Sequence, residues 1–225
     1  MAKKKDKETQ KNWSHKNDYP IEEVWNTDNT LAQLIAPRLQ AFKAFDKHGR
    51  PGDFKDMDEW NKAIQKMIDA FELMKYVHVL DDEDERIVEQ GLDLFRKYYR
   101  SLWEYISVSL KYVIDRDKNK IIAKKKDKET QKNWSHKNDY PIEEVWNTDN
   151  TLAQLIVPRL QAFRALDKHG GPDDFKDMDE WNKAIQKMID AFEIMKYVHV
   201  LDDKDERIVE QGLDLFRKYY RSLWD

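Results

Sequence analysis

The chain has 225 residues, no cysteine, and 37% charged residues that leave a net charge of −4. Without cysteine there is neither a disulfide nor thiolate chemistry, and 40 basic residues against 44 acidic ones give no overall field that selects nucleic acid or an acidic partner. No apolar run approaches the ~20 residues that span a bilayer, and the N-terminus has no signal-peptide core, so a soluble intracellular protein is expected.

The chain is one unit written twice. Residues 2–104 recur as 123–225 at a constant offset of 121, with no gap. The differing positions are Ala36/Val157, Lys43/Arg164, Phe45/Leu166, Arg50/Gly171, Gly52/Asp173, Leu73/Ile194, Glu83/Lys204 and Glu104/Asp225. A solenoid would show diverged end units that cap the stack, so these copies read as two complete domains. Ile122 stands where Met1 stands in the first copy, and Tyr105 follows the point at which the second copy ends. Each is one base from a start or a stop codon, which suggests two tandem genes fused by loss of both signals. An engineered single-chain dimer is the rival origin. A ribosome-binding site within the codons for residues 115–120 would support fusion, and its absence would count against it.

Residues 1–18 form a Lys-rich polar arm, read first as a solvated segment and second as a clamp for a phosphate backbone with Trp13 and His15 available for stacking. Tyr19-Pro20 opens a short helical turn through Trp25. Thr27 or Asp28 is then expected to cap a first long helix, in which Leu31, Leu34, Ile35, Leu39, Phe42 and Phe45 share a face. Pro37 interrupts that face, removes a backbone donor and predicts a kink over residues 33–37. The helix is expected to end at His48-Gly49, before a turn through Pro51.

Asp56 and Glu59 have capping-box spacing and predict the start of a second helix, whose face carries Trp60, Ile64, Met67, Ile68, Phe71, Met74 and Val77. The acidic run at 81–85 suits the first turn of a third helix. It lacks the oxygen spacing and central Gly of a calcium loop, and Lys204 replaces Glu83 in the second copy. The third helix carries Ile87, Val88, Gly91, Leu92, Phe95, Tyr98, Tyr99, Leu102 and Trp103, and Gly91 predicts a close helix–helix approach. In the connector, Ile106, Val108, Leu110 and Tyr112 alternate as in a strand, while Leu102, Ile106, Leu110 and Ile114 fit a continued helix. The helix is preferred because a lone strand would leave its backbone without a partner.

Three blocks carry a resemblance. They are Trp25…Asp28-Asn29-Thr30-Leu31-Ala32…Pro37-Arg38-Leu39, Trp60-Asn61…Lys66-Met67-Ile68-Asp69-Ala70-Phe71-Glu72, and Gly91-Leu92-Asp93-Leu94-Phe95-Arg96-Lys97-Tyr98…Leu102-Trp103. In this order, and with Leu223-Trp224-Asp225 at the end, the chain resembles a family of small uncharacterised helical proteins of tailed bacteriophages and other large DNA viruses. The resemblance implies a viral protein acting in the cytoplasm of a host cell. It carries over no catalytic residue, and the tandem duplication departs from the family's single-unit form.

No enzyme is expected. His15, His48 and His78 and their second-copy equivalents sit at no metal-ligand spacing, there is no Gly-flanked nucleophilic Ser, and Gly49-Arg50-Pro51-Gly52 reads as a turn rather than a phosphate loop. No metal or cofactor is anticipated. The candidate binding residues are Trp25, Asp28, Arg38, Trp60, Arg100 and Trp103, with Trp146, Asp149, Arg159, Trp181, Arg221 and Trp224 in the second copy. Arg grips carboxylate or phosphate with paired hydrogen bonds and Trp stacks flat rings. The competing reading is that the Trp side chains fill the core while Asp28 caps a helix and pairs with an Arg.

The expected architecture is all-α: two tandem copies of a small bundle of three main helices. Its parts are a basic arm (1–18), a helical unit (19–104), a connector (105–122), a basic arm reused as linker (123–139) and a second helical unit (140–225), and the units can pack as an intrachain pseudo-dimer or oligomerise further. The expected function is non-enzymatic binding inside the host that counters host defence by sequestering a nucleotide-like signal molecule. The alternatives are an adaptor or inhibitor that docks on a host protein through a helical surface, and weak nucleic-acid binding through the arms.

Overall fold

The apolar periodicity of the sequence becomes, among the described residues, six long helices and a few short turns. The computed structural model describes residues 22–45, 49–76, 80–102, 148–196 and 201–224. The first unit holds α1 (Glu22–Trp25), α2 (Thr27–Ala44), α3 (Met57–Met74) and α4 (Asp82–Tyr98). The second holds α5 (Thr148–Ala165), α6 (Met178–Met195) and α7 (Asp203–Tyr219), followed by a 3₁₀ turn at Tyr220–Ser222. The fold is all-α, and the only β-type pairing among the described residues is a lone bridge between Asn26 and Trp224. Among the described residues, no helix is long and apolar enough to cross a membrane. The arms and the connector lie outside the described residues.

Local signals place the helix starts. Asp56 accepts from Glu59 N (2.9 Å) while Glu59 Oε2 accepts from Lys55 N (2.8 Å), so the side chain at each position satisfies a free amide near the other. Asp81 accepts from the amides of Glu83 and Asp84, and Asp177 and Asp202 repeat both caps in the second unit. The expected cap of α2 is different. The N-cap is Asn26, without a side-chain cap bond, whereas Thr27 Oγ1 turns back to donate to Val24 O (2.7 Å) and Asp28 Oδ1 accepts from Asn29 N (2.7 Å). A tight α1 immediately upstream puts the Val24 carbonyl within reach of the threonine, which ties the two helices together.

The helix α2 runs through Pro37 to Ala44, short of the expected end at His48-Gly49, and His48 lies outside the described residues. Arg38 Nη1 donates to Leu34 O (3.1 Å), as Arg159 Nη1 does to Leu155 O (3.2 Å), so a guanidinium supports the backbone at the turn that proline weakens. At the end of α5, Lys168 Nζ donates to the carbonyls of Phe163, Arg164 and Leu166, neutralising the negative helix end.

Within each unit the three long helices pack around the predicted faces. Trp60, Ile64, Met67, Ile68, Phe71 and Met74 of α3 are all buried, as are Val88, Leu92 and Phe95 of α4. Gly91 is where α3 and α4 meet: a Cβ there would overlap Ala70 and come within 2.7 Å of Lys66 O, and Gly212 meets Ala191 and Lys187 in the same way. The close approach that this glycine predicts is therefore present in both units.

The two units share one core. α2 is covered on one side by α3 and on another by α5 of the second unit, so it buries Ala32, Ala36 and Ala41 in addition to Leu31, Ile35, Leu39 and Phe42 of its predicted face, while Leu34 and Phe45 are only half-buried. The ends of α4 and α7 cross over. Tyr99 is fully buried, stands edge-on to Phe192 (5.5 Å between ring centres), and donates to Asp149 O (2.5 Å). Tyr220 does the same in the opposite sense, against Phe71 (5.6 Å) and Asp28 O (2.6 Å). Phe95 and Phe216 face each other across the centre at 6.4 Å. Around them lie the ion pairs Arg96–Asp214 and Arg217–Asp93 (both 2.6 Å), Arg100–Glu206 (3.2 Å) and Arg221–Glu85 (2.8 Å). Every one of these contacts has its mate at the offset of 121, which defines a pseudo-two-fold axis beside Phe95. Copies expected to be complete in themselves thus close their cores on each other.

Candidate ligand-binding cleft

Trp60 and Trp181 are core residues. Trp60 is fully buried against Phe54 (5.1 Å) and Tyr98 (5.5 Å), and Trp181 against Phe175 (5.2 Å) and Tyr219 (5.6 Å), so neither presents a ring face on which a ligand could stack. Trp25 is half-buried at the end of α1. Arg38 and Arg159 are half-buried on the backbone of their own helices. Arg100 and Arg221 reach across the pseudo-axis to Glu206 and Glu85. Trp103 and Trp146 lie outside the described residues. The residues expected to line a common Arg/Trp crevice are therefore dispersed by the fold: the large apolar rings are drawn into the core, and the arginines onto helix carbonyls and opposite carboxylates.

Asp28 and Asp149 sit at equivalent helix starts in different surroundings. Asp28 is half-buried, and its backbone N–H donates to Leu223 O (3.0 Å). Asp149 is only 8% exposed, and its Oδ1 has no hydrogen-bond partner among the described residues. Burial pushes its carboxyl up to about 7, against the opposing pull of the backbone amides of Asn150 and Asp149 itself and of the Arg100 charge.

One candidate residue does line a cavity. Trp224 is 57% exposed and forms a wall of a cleft of about 480 Å³, together with Ser222 and the loop residues His169, Gly170, Gly171, Pro172 and Asp173. The loop is held by Phe175 N donating to Pro172 O (3.1 Å) and by the packing of Phe175 on Trp181. Trp224 is held from the other side by its bridge to Asn26, so the cleft is assembled where the end of the second unit meets the first. Beneath the loop lies Trp181: a Cβ on Gly171 would come within 3.0 Å of its Cδ1. The adjoining indole Nε1 is buried and has no acceptor among the described residues. Two of the candidate residues, Trp181 and Trp224, therefore meet at this loop, one beneath it and one beside it.

Chemically, the cleft offers an aromatic face, the backbone of two consecutive glycines, a hydroxyl, an imidazole and a carboxylate. It is suited to a small flat molecule that carries hydrogen-bond donors for Asp173. Among the described residues no cluster of His, Asp and Glu is arranged to hold a metal ion. The reading of the equivalent Gly49-Arg50-Pro51-Gly52 as a turn passed over this cleft. A signal was present: Arg50/Gly171 and Gly52/Asp173 place two of the differences between the copies within three residues of each other. The chain matches no family model, no curated protein and no solved structure.

Proposed function

We propose that this chain is a non-enzymatic, phage-type binding protein that acts inside the host cell and sequesters a small nucleotide-like signal molecule, with its flat base in the cleft beside Trp224. The observation that carries the reading is the combination of a half-exposed Trp224 with the concave 169–173 loop. Stacking of a base on an aromatic ring contributes about 1–3 kcal/mol and tolerates different bases, since each has a flat face. The Asp173 carboxylate accepts from an exocyclic amino group and disfavours a phosphate at the same point, so the phosphates of a bound nucleotide face outward.

The test is calorimetric titration of the full chain with nucleosides and with linear and cyclic nucleotides, followed in parallel by tryptophan fluorescence. The expected result is binding of an amino-bearing base that Trp224→Ala weakens by about tenfold or more, given the stacking energy above. No heat and no fluorescence change with any member of the panel would reject the reading. Binding that survives Trp224→Ala but disappears when residues 1–18 are removed, with a steep salt dependence, would transfer the function to the basic arm.

A further inference from the structure

The inter-unit face is self-complementary in a strict sense. Each unit carries both partners of every contact: Tyr99 and the acceptor at Asp28 in one, Tyr220 and the acceptor at Asp149 in the other. The charges follow the same rule, since Asp93 and Arg96 of one α-helix meet Arg217 and Asp214 of its counterpart. A face of this kind recognises a second copy of itself with no contribution from the chain that joins the copies.

We infer that each helical unit is an incomplete fold whose natural partner is another copy of the same unit, and that this chain is such a homodimer with its subunits tied together. The physical ground is the exchange of the buried tyrosines. Without the second unit, Phe71 loses the ring of Tyr220 and the Asp28 carbonyl loses its hydroxyl donor, while Tyr99 itself is left without the pocket that encloses it. A solitary unit would expose that apolar surface, and pairing removes it from water. The inference is independent of the cleft reading, because none of these side chains lines the cleft.

The experiment uses the full chain with a site-specific protease sequence placed at residues 115–120. After complete cleavage under native conditions, the halves are expected to remain together, eluting with the 27.2 kDa of the intact chain and keeping its helical circular dichroism. Separation into folded species of about half that mass would overturn the inference, as would loss of helix on cleavage alone, since either result makes the connector the agent of association. Specificity is then rewritten in the cut protein. Asp93→Arg with Arg96→Asp sets like charges against Arg217 and Asp214 and is expected to weaken association by about tenfold. Adding Asp214→Arg with Arg217→Asp restores opposite charges in both pairs and is expected to restore the affinity. Failure of the second pair of substitutions to rescue the first would count against the inference, because the loss would then not come from matched charges on two copies of one face.

Discussion

The two units differ most closely together in one loop and agree at the centre of the face they share. All the side chains named at the pseudo-axis (Glu85, Asp93, Phe95, Arg96, Tyr99 and Arg100) have identical counterparts, whereas the turn between the first two long helices changes from Gly49-Arg50-Pro51-Gly52 to Gly170-Gly171-Pro172-Asp173. In the first unit Arg50 lies along its own loop, with Nη2 donating to Lys55 O (2.7 Å). In the second, the backbone of Gly171 lies directly against the buried Trp181, close enough that a Cβ there would come within 3.0 Å of the indole. A substitution on the shared face disturbs both units at once, because each side chain there is part of the other unit's core. A substitution in the turn disturbs only its own surroundings. One difference also lies in the core: Ala36 and Val157 are both buried.

The comparison can be broken most severely at the exchanged tyrosines. Tyr99→Ala and Tyr220→Ala are each expected to lose about 3–5 kcal/mol of unfolding free energy, as for other large aromatics removed from a core, and the two losses should agree because the contacts are equivalent. Chemical denaturation of each variant checks this; a large loss at one position and none at the other would refute the pseudo-symmetry.

The helix starts sharpen the contrast next. The folded chain holds the Asp149 proton more tightly than the unfolded chain does, since the carboxyl is raised from 3.8 to about 7. Its contribution is therefore most favourable below about pH 4 and is lost as the pH climbs from there to about 7, amounting to at most on the order of 4 kcal/mol. Asp149→Asn should remove this slope and raise stability at pH 8. Asp28→Asn, at a half-buried site, should change stability by under about 1 kcal/mol. Denaturation midpoints measured from pH 4 to 8 separate the two.

Glycines give a smaller effect. Gly91→Ala is expected to cost about 1–3 kcal/mol, because the added carbon overlaps Ala70 and the Lys66 carbonyl. Gly52→Ala, with open space around it, should be neutral or stabilise by a few tenths of a kcal/mol. The smallest effect belongs to the half-exposed ion pairs: Arg96→Ala in the uncut chain should cost about 0.2–1 kcal/mol, and the difference from the parent should shrink as salt is added.

Much of the fold was legible because helices announce themselves locally. The Trp60-to-Met74 face, the cap at Asp56, the acidic start of the third helix and the close approach at Gly91 all follow from spacing within a few residues, and all are found. The α2 cap was misread because Thr27 and Asp28 both had the right chemistry, and only the position of α1 determined that the hydroxyl would turn back to Val24. The candidate site was legible only in part. Trp224 and Trp181 were picked out for their residue type, but the rule that selects a tryptophan for stacking also selects one for burial.

By itself, the sequence determined that the chain is a doubled all-α unit, where its long helices begin, and which face of each is apolar. Only the tertiary structure decided what covers those faces. Periodicity records that a side chain must leave water, not which surface receives it, so Tyr99 reads the same whether it closes its own unit or the other. The tertiary structure also decided that Trp60 belongs to the core while Trp224 stands beside a cleft. Both are large aromatic residues near a helix end, and the difference between them lies in neighbours distant in the chain.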